Sequence, residues 1–399
     1  MISQEMLMLG KNGCIIREIA EYSRQRSAQI GGENVFDFSI GNPSIPAPAI
    51  VGETMQKLLT EADPIALHAY TSAQGDLTVR QKLAQNIKTR FGVEADPALI
   101  YMTSGASASL AISLKAIVNP GDEVILLAPF FTEYSVFVQN AGAQSVIVQC
   151  RKGDFELDIE ALEAAINEKT RAIIVNSPNN PTGVVFSEET IRAMGEVLRK
   201  KSAKFGRSIT VIADEPYREL VYEDTQVPYI PKFYEDTIVC YSYSKSLSLP
   251  GERIGYIFVP TAVPDAQTVY TAICGAGRSL GYICAPSLLQ QTVAVCDGVL
   301  PDMTVYSKNR TLLYEGLKEI GYEVVRPQGA FYLFMKALEE DAVKFYERAK
   351  AYELLVVPSD DFGVSGYVRI AYCVSHEQVQ RSMPAFRKLY DDYKKENEL

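Results

Sequence analysis

Residues 242–256 read SYSKSLSLPGERIGY and directly follow an apolar run that ends at Cys240. Lys245 therefore lies just beyond a predicted strand, between small hydroxyl residues, and Arg253 follows in the same stretch. Partial burial lowers the pKa of a lysine and leaves more of its amine neutral and nucleophilic. A guanidinium and several hydroxyl groups can together bind a phosphate. The stretch predicts a Schiff-base lysine beside an anion site, with an ordinary solvated lysine as the alternative on local grounds.

Outward from this stretch, short apolar runs alternate with amphipathic segments between about residues 95 and 260. The apolar runs are Leu99–Met102, Glu123–Ala128, Ser145–Val148, Ala172–Val175, Ile209–Ala213, Ile238–Cys240 and Gly255–Val259. Helices are predicted at Ile159–Asn167 and Glu188–Lys201, the second with Ser187 as its N-cap. This alternation predicts an α/β fold, with a mainly parallel central sheet and helices on both faces. Ligands of such sheets bind beyond the carboxyl ends of the strands.

From Pro286 onward the pattern changes to mixed helices and strands, which predicts a smaller α+β domain over residues 286–399. The predicted elements there are one long helix at Pro286–Leu317, strands at Tyr322–Val325, Ala330–Lys336 and Gly366–Ala371, and helices at Asp341–Ala351 and Glu377–Lys395. The N-terminal segment, residues 1–45, has a predicted helix at Cys14–Gln29 and a strand at Phe36–Ile40, and we expect it to join that domain. Residues 46–285 form the predicted large domain.

Composition narrows the class of protein. Of 399 residues, 47% are hydrophobic and 22% charged, which excludes a disordered chain. The 39 Lys and Arg residues against 49 Asp and Glu residues give a net charge of −10. An acidic chain repels phosphate backbones and anionic lipid, so neither nucleic acid nor a membrane is an expected partner. No run approaches the ~18 apolar residues of a membrane span, and the first residues do not read as a signal peptide.

Cysteine and histidine usage points to location and chemistry. The seven cysteines are scattered and contain no C-x-x-C, which favours reduced thiols in the cytoplasm over disulfides or a zinc site. With only two histidines, His68 and His376, we expect no metal site. General acid–base chemistry is therefore expected from Lys, Tyr, Asp or Glu.

The segment 242–256 resembles the pyridoxal-phosphate (PLP) attachment site of class I/II aminotransferases, the fold type I PLP enzymes of the aspartate aminotransferase superfamily. Five more segments follow the family's order: GNP at 41–43, YTSAQG at 70–75, NNPTG at 179–183, DEPY at 214–217 and RIA at 369–371. The resemblance covers nearly the whole chain. It implies an enzyme that moves an amino group from an L-amino acid to a 2-oxo acid, with PLP held covalently on Lys245, which also serves as general base.

The resemblance assigns residues to the cofactor ring. Asp214 ends an apolar run, and a carboxylate there would keep the pyridine nitrogen protonated, as an electron sink requires. Tyr217 and Asn180 would bond the phenolic oxygen of the cofactor. Phe131 would stack on the ring, with Phe130 as the alternative. The peptide bond that precedes Pro181 is a candidate for the cis form, because this bond is often cis in the family.

Other residues would hold the cofactor phosphate. Gly105, Ala106 and Ser107 open a predicted helix, whose free backbone N–H groups suit a phosphate dianion. Ser242 would add a hydroxyl group and Arg253 a charge-assisted pair. The same turn read alone indicates only a tight strand-to-helix connection.

The substrate carboxylate would be bound by Arg369, whose guanidinium matches it bidentately, together with Asn180 and the backbone N–H of Gly41. Tyr70 matches a tyrosine that reaches the phosphate of the neighbouring subunit, which implies a homodimer with shared active sites. The motifs favour an aspartate-type or broad aromatic/alanine-type enzyme, with aspartate preferred. Arg278 lies near the family's position for a residue that reads a distal carboxylate, but the loop length leaves that match open.

Two other functions fit parts of the sequence. A PLP-dependent carbon–sulfur β-lyase shares the fold and the attachment site, so the motifs leave it as the alternative. The effector-binding domain of a transcription regulator shares the fold as well. Such regulators carry an N-terminal winged helix, whereas here the PLP-fold pattern starts almost at once and the net charge of −10 does not suit DNA.

Overall fold

The computed structural model describes residues 2–11 and 15–397, so Cys14, the predicted start of the first helix, lies outside the described residues. The helices are α1 (Gln4–Lys11), α2 (Ile15–Ile30), α3 (Ala49–Glu61), α4 (Pro64–His68), α5 (Leu77–Phe91), α6 (Ala106–Ile117), α7 (Glu133–Ala141), α8 (Ile159–Ala165), α9 (Glu188–Phe205), α10 (Tyr243–Ser246), α11 (Ala266–Leu280), α12 (Ser287–Cys296), α13 (Thr304–Ile320), α14 (Ala342–Lys350) and α15 (His376–Asn397). The strands are β1 (Phe36–Asp37), β2 (Ile100–Thr103), β3 (Glu123–Ala128), β4 (Gln144–Gln149), β5 (Thr170–Asn176), β6 (Thr210–Asp214), β7 (Thr237–Ser242), β8 (Gly255–Phe258), β9 (Tyr332–Lys336), β10 (Leu354–Leu355), β11 (Val357–Pro358) and β12 (Tyr367–Ala371).

The central sheet has seven strands in the order β2-β8-β7-β6-β5-β3-β4. Strands β3 to β7 pair in parallel, and only β8 runs antiparallel to its neighbours β7 and β2. The middle strands are buried throughout, because two apolar clusters cover the two faces of the sheet. The predicted fold class, a mainly parallel α/β sheet between helices, is confirmed.

A second, smaller sheet is antiparallel and has the order β11-β12-β9. Next to it, β1 of the N-terminal segment pairs in parallel with β10. This pairing connects the N-terminal segment to the C-terminal part of the chain. The predicted domain boundaries at residues 45 and 285 stay predictions.

Two predicted elements of the C-terminal part are wrong. The long helix at 286–317 is two helices, α12 and α13, because Gly298 takes a φ of +85° and Pro301 follows before the second helix begins. The predicted strand at 322–325 is reduced to a single bridge between Val324 and Met335. Pro327 follows closely and has no N–H to extend a ladder.

Two smaller expectations are confirmed, the N-cap of α9 and a cis peptide bond. Ser187 caps α9, accepting a 3.1 Å hydrogen bond from the backbone N–H of Thr190. The peptide bond between Asn180 and Pro181 is cis, as predicted. Within the described residues, no helix is both long and apolar enough to cross a membrane.

The sheet gathers polar groups at one edge. The parallel strands β5, β6 and β7 end in Asn176, Asp214 and Ser242, and Asn176 lies opposite Asp214 in register. The turn after β7 becomes α10, which carries Lys245. This edge is therefore the place to look for a ligand site.

Candidate active site

A cavity of about 270 Å³ opens at this edge of the sheet. Most residues predicted for the site line it: Gly41, Ala106, Ser107, Phe131, Asn180, Asp214, Tyr217, Ser242, Lys245, Arg253 and Arg369. Gly105 does not line the cavity itself but lies beside Arg253, which does. Segments separated by hundreds of residues thus converge on one cavity.

Lys245 presents a partly buried amine to the cavity. It sits in the short helix α10, whose first turn is capped by Ser242 through a 3.2 Å hydrogen bond from the N–H of Ser244. The lysine Nζ donates a 2.6 Å hydrogen bond to the backbone oxygen of Gly41. Burial lowers the pKa of Lys245 to about 8. A much larger fraction of this amine is neutral at physiological pH than of an exposed lysine.

Asp214 presents a buried carboxylate from the end of β6. The hydroxyl of Tyr134 donates a 2.5 Å hydrogen bond to its Oδ2. Its Oδ1 is also buried, yet has no hydrogen-bond partner among the described residues. Burial raises the pKa of Asp214 to about 7, and the hydrogen bond from Tyr134 opposes that rise. An unpartnered carboxylate oxygen in this position fits the protonated ring nitrogen of PLP.

Tyr217 and Asn180 lie on another wall of the cavity. The hydroxyl of Tyr217 is 3.0 Å from that of Tyr332. Asn176 holds the Asn180 segment, since its Oδ1 accepts a 2.8 Å hydrogen bond from the Asn180 N–H. Its Nδ2 donates at 2.9 Å to the backbone oxygen of Asp214. The two predicted partners of a phenolic oxygen are therefore held by buried neighbours.

The start of α6 has the features of an anion site. Gly105 precedes the helix with a φ of +87°, and a Cβ built there would lie 2.8 Å from Nη2 of Arg253. Only glycine therefore lets this guanidinium lie against the helix start. Arg253 is itself held by a 3.0 Å hydrogen bond from its Nη1 to the backbone oxygen of Pro250. Free helix N–H groups, the Ser107 side chain and an exposed guanidinium fit a phosphate dianion.

Arg369 brings a buried cation from β12, with 2% of the residue exposed. Its Nη1 donates to Asn180 Oδ1 at 3.0 Å and its Nη2 to the backbone oxygen of Ser39 at 2.5 Å. Both acceptors are neutral, and Nε has no partner among the described residues. A buried guanidinium left without a carboxylate suits an anionic ligand.

Two residues predicted from the sequence, Tyr70 and Arg278, do not line the cavity. A third assignment needs a choice between Phe131 and Phe130. Tyr70 is 94% exposed and does not line the cavity of its own chain. Arg278 is likewise exposed, near the end of α11. Phe131 lines the cavity, whereas Phe130 is buried and packs beneath Gly363, so Phe131 is the ring-facing candidate of the two.

Other cavity residues were missed by the sequence reasoning. They are Ile16, Leu110, Tyr134, Asn176, Pro216, Ser244, Pro250 and Tyr332. A signal existed for Tyr134, which follows Phe131 in the turn after β3, and for Asn176, which ends β5. Tyr332 had none, because its contacts come from residues far away in the chain.

Comparison with known proteins gives a consistent result. The family model for aminotransferase class I and II matches residues 33–386. A crystal structure of an amino transferase from Eubacterium rectale superposes with a TM-score of 0.97 at 52% identity, covering 98% of this chain and 99% of that one. An aspartate aminotransferase of Thermotoga maritima is 29% identical over 88% of this chain and 90% of its own length.

A further relative is an aromatic-amino-acid aminotransferase of Thermococcus litoralis, 27% identical over 91% of this chain and 94% of its own length. The resemblance carried by the six motifs is thus confirmed over most of the sequence. This chain is a member of the class I and II aminotransferases, and it is an enzyme that transfers amino groups.

Proposed function

We propose that this aminotransferase works with PLP attached to Lys245 and moves the amino group of an L-amino acid to a 2-oxo acid. One observation carries the proposal: the partly buried amine of Lys245 faces the same cavity as a buried oxygen of Asp214 that has no partner among the described residues. An aldehyde-binding amine and an acid for a ring nitrogen are the two groups that PLP chemistry needs.

When bound, PLP supplies an electron sink for the electrons of the substrate Cα–H bond. Asp214 would keep the ring nitrogen protonated, and Tyr217 with Asn180 would donate hydrogen bonds to the phenolic oxygen. Phe131 would cover one face of the ring. Each of these side chains lines the cavity, which supports the assignment.

The phosphate would be held at the start of α6. Gly105, Ala106 and Ser107 offer backbone N–H groups and a hydroxyl, and Ser242 offers a second hydroxyl. Arg253 would neutralise part of the phosphate charge. The close approach of its guanidinium to Gly105 supports a shared ligand.

Lys245 would act twice. Its neutral amine would bind the cofactor aldehyde, and the same Nζ, once released, would take the Cα proton of the substrate and deliver it to the C4′ carbon of the cofactor. A pKa of about 8 lets this amine both accept and give up a proton near neutral pH. Arg369, Asn180 and the Gly41 N–H would orient the substrate by its carboxylate, so that the Cα–H bond faces Lys245.

The amino donor is proposed to be aspartate or a wider set that includes aromatic amino acids and alanine. Relatives named for aspartate and for aromatic amino acids support this range. Initial rates with a panel of donors and 2-oxoglutarate would measure it. Activity on alanine and aromatic donors without any on aspartate would contradict the preference for aspartate.

The compared relatives are all named aminotransferases and give no support to the β-lyase alternative.

We further propose a homodimer in which Tyr70 contributes to the partner's site. Tyr70 is 94% exposed in the single chain, and exposed apolar side chains lie on neighbouring elements, including Leu59 of α3, Ile65 of α4 and Ile283. The Ser287 hydroxyl at the start of α12 donates a 2.6 Å hydrogen bond to the backbone oxygen of Leu67 in α4, so α12 is held against α4. Light scattering should give twice the chain mass, and a monomer would contradict the proposal.

The cytoplasmic location stays a prediction.

The decisive experiment is chemical. The purified protein should absorb visible light, and borohydride should fix the cofactor on the peptide that contains Lys245. Lys245→Ala should abolish both the label and the transfer of amino groups. Lys204→Ala, at an exposed lysine of α9, is the matched control and should change neither. A label on any other peptide would overturn the assignment.

A further inference from the structure

Tyr332 is a buried cavity residue that the proposed chemistry does not yet use. It opens β9, is 3% exposed and pairs in register with Ala371 of β12. Its side chain contacts three parts of the site: Tyr217, Gly41 and Arg369.

The proposed hydrogen bond from Tyr217 to the cofactor decides which hydroxyl is the donor between Tyr332 and Tyr217. The two hydroxyl oxygens are 3.0 Å apart, and each hydroxyl has a single proton to donate. If Tyr217 donates to the phenolic oxygen of PLP, its own oxygen must accept from Tyr332. A hydroxyl that accepts a hydrogen bond becomes a stronger donor. The hydrogen bond from Tyr332 to Tyr217 therefore strengthens the hydrogen bond from Tyr217 to the phenolic oxygen.

The other contacts hold Tyr332 in place. A Cβ added to Gly41 would lie 2.0 Å from the Tyr332 hydroxyl oxygen, so only a glycine leaves room for this side chain. On its other side, the Arg369 guanidinium lies 4.7 Å from the centre of the Tyr332 ring. Burial raises the pKa of Tyr332 to about 12, against the influence of Arg369, so the hydroxyl keeps its proton at physiological pH.

We propose that Tyr332 is a positioning residue that donates its hydroxyl proton to Tyr217 and thereby strengthens the hydrogen bond from Tyr217 to the phenolic oxygen of PLP. This inference rests on the proposed function. The same ring packs against the guanidinium that would bind the substrate carboxylate. Tyr332 therefore links the cofactor wall of the cavity to its carboxylate wall.

The test is a pH titration of the visible absorption of the PLP-loaded protein. A donor to the phenolic oxygen favours its anionic form, so a weaker donor raises the pH at which the bound chromophore loses its proton. Tyr332→Phe removes one hydroxyl and should raise that midpoint by roughly 0.3–0.7 pH unit. Tyr234→Phe removes a buried hydroxyl, hydrogen-bonded to the backbone of Ile209 at 2.7 Å, outside the cavity, and should leave the midpoint unchanged.

A double-mutant comparison tests whether Tyr332 acts through Tyr217. Tyr217→Phe should shift the midpoint in the same direction and further than Tyr332→Phe. Adding Tyr332→Phe to Tyr217→Phe should then produce no additional shift. An unshifted midpoint in Tyr332→Phe, or a full additional shift in the double variant, would overturn the inference. Circular dichroism melting of each variant shows that it folds.

A failure of the proposed function can be distinguished from a failure of the role of Tyr332. If borohydride fixes no chromophore on Lys245 in the wild-type protein, the proposed function is wrong, whatever Tyr332 does. If that label forms normally and the titration of Tyr332→Phe matches wild type, only the role of Tyr332 is wrong.

Discussion

The hydroxyl of Tyr134 donates to one oxygen of Asp214, at 2.5 Å, and the other oxygen of that carboxylate is buried without a partner among the described residues. The pair comes from two elements, α7 and β6, that meet at the edge of the central sheet. One oxygen is thus fixed by the protein, while the second is left for a ligand. Such an arrangement is costly in the absence of a ligand cation, and that cost can be measured.

The first prediction concerns the pH dependence of stability. Burial raises the pKa of Asp214 to about 7 in the cofactor-free protein, against about 3.9 in an unfolded chain. Between these values the folded state binds more protons than the unfolded state, so this group's contribution to the free energy of unfolding falls as pH rises and levels off above pH 7. Asp214→Asn lacks the titration. Its advantage over wild type in the free energy of unfolding should reach about 4 kcal/mol at pH 8 and vanish below about pH 3.

Thermal melting of both cofactor-free proteins across this pH range checks the difference. Tyr134→Phe removes the hydrogen bond that holds the pKa of Asp214 down. The free energy of unfolding of this variant should therefore keep falling to a higher pH than that of wild type. Parallel melting curves for wild type and Asp214→Asn at every pH would contradict the prediction.

The second prediction concerns the attachment of the cofactor. Because burial lowers the pKa of Lys245 to about 8, the rate at which cofactor-free protein binds PLP covalently should rise with pH and level off above pH 8 to 9. Stopped-flow absorption measures this rate. Pyridoxal without its phosphate serves as a control, because its own charge does not change with phosphate ionisation. A rate that keeps rising to pH 10.5, as for an exposed lysine, would show that the amine is not desolvated.

The third prediction concerns the phosphate site. Gly105→Ala places a methyl group 2.8 Å from Nη2 of Arg253 and strains a backbone with a φ of +87°. We expect the Kd for PLP to rise by at least about tenfold. Gly121→Ala, at a φ of +93° with nothing within 4 Å of the new Cβ, tests backbone strain alone and should leave the Kd unchanged. Equal effects of the two variants, in a spectroscopic titration, would rule out the contact with Arg253 as the cause.

The fourth prediction concerns the substrate carboxylate. Arg369→Lys keeps the charge but loses the bidentate fork, so KM for the amino donor should rise by roughly 10–100-fold, with a smaller change in kcat. The Kd for PLP should stay within a few fold of wild type. Arg326→Lys, at an exposed arginine paired with Glu223, is the matched control. Steady-state kinetics with an unchanged KM for Arg369→Lys would contradict the assignment.

Residues that follow buried strands were the most accessible to sequence reasoning. Asp214 and Lys245 come directly after continuous apolar runs, and parallel strands bring such positions to one edge. The local pattern therefore predicted where they would meet. The motifs of the family then supplied their roles, which the local pattern left open.

Contacts across long sequence separations were not accessible. Tyr332 reaches Tyr217 from 115 positions away, and nothing near either residue indicates the pair. The break between α12 and α13 is different, because Gly298 and Pro301 were local signs of it. Packing between segments that are distant in the chain, rather than local preference, decides the contact between Tyr217 and Tyr332.

The hydrogen bond from Arg369 to the backbone of Ser39 spans 330 positions of the chain, and β1 pairs with β10 over a similar separation. During translation, the N-terminal segment leaves the ribosome long before its partners exist. At about 5–20 residues per second, it must wait roughly 20–60 s without them. The proposed pocket for the substrate carboxylate needs both ends of the chain, so we expect it to be among the last parts of the nascent enzyme to form.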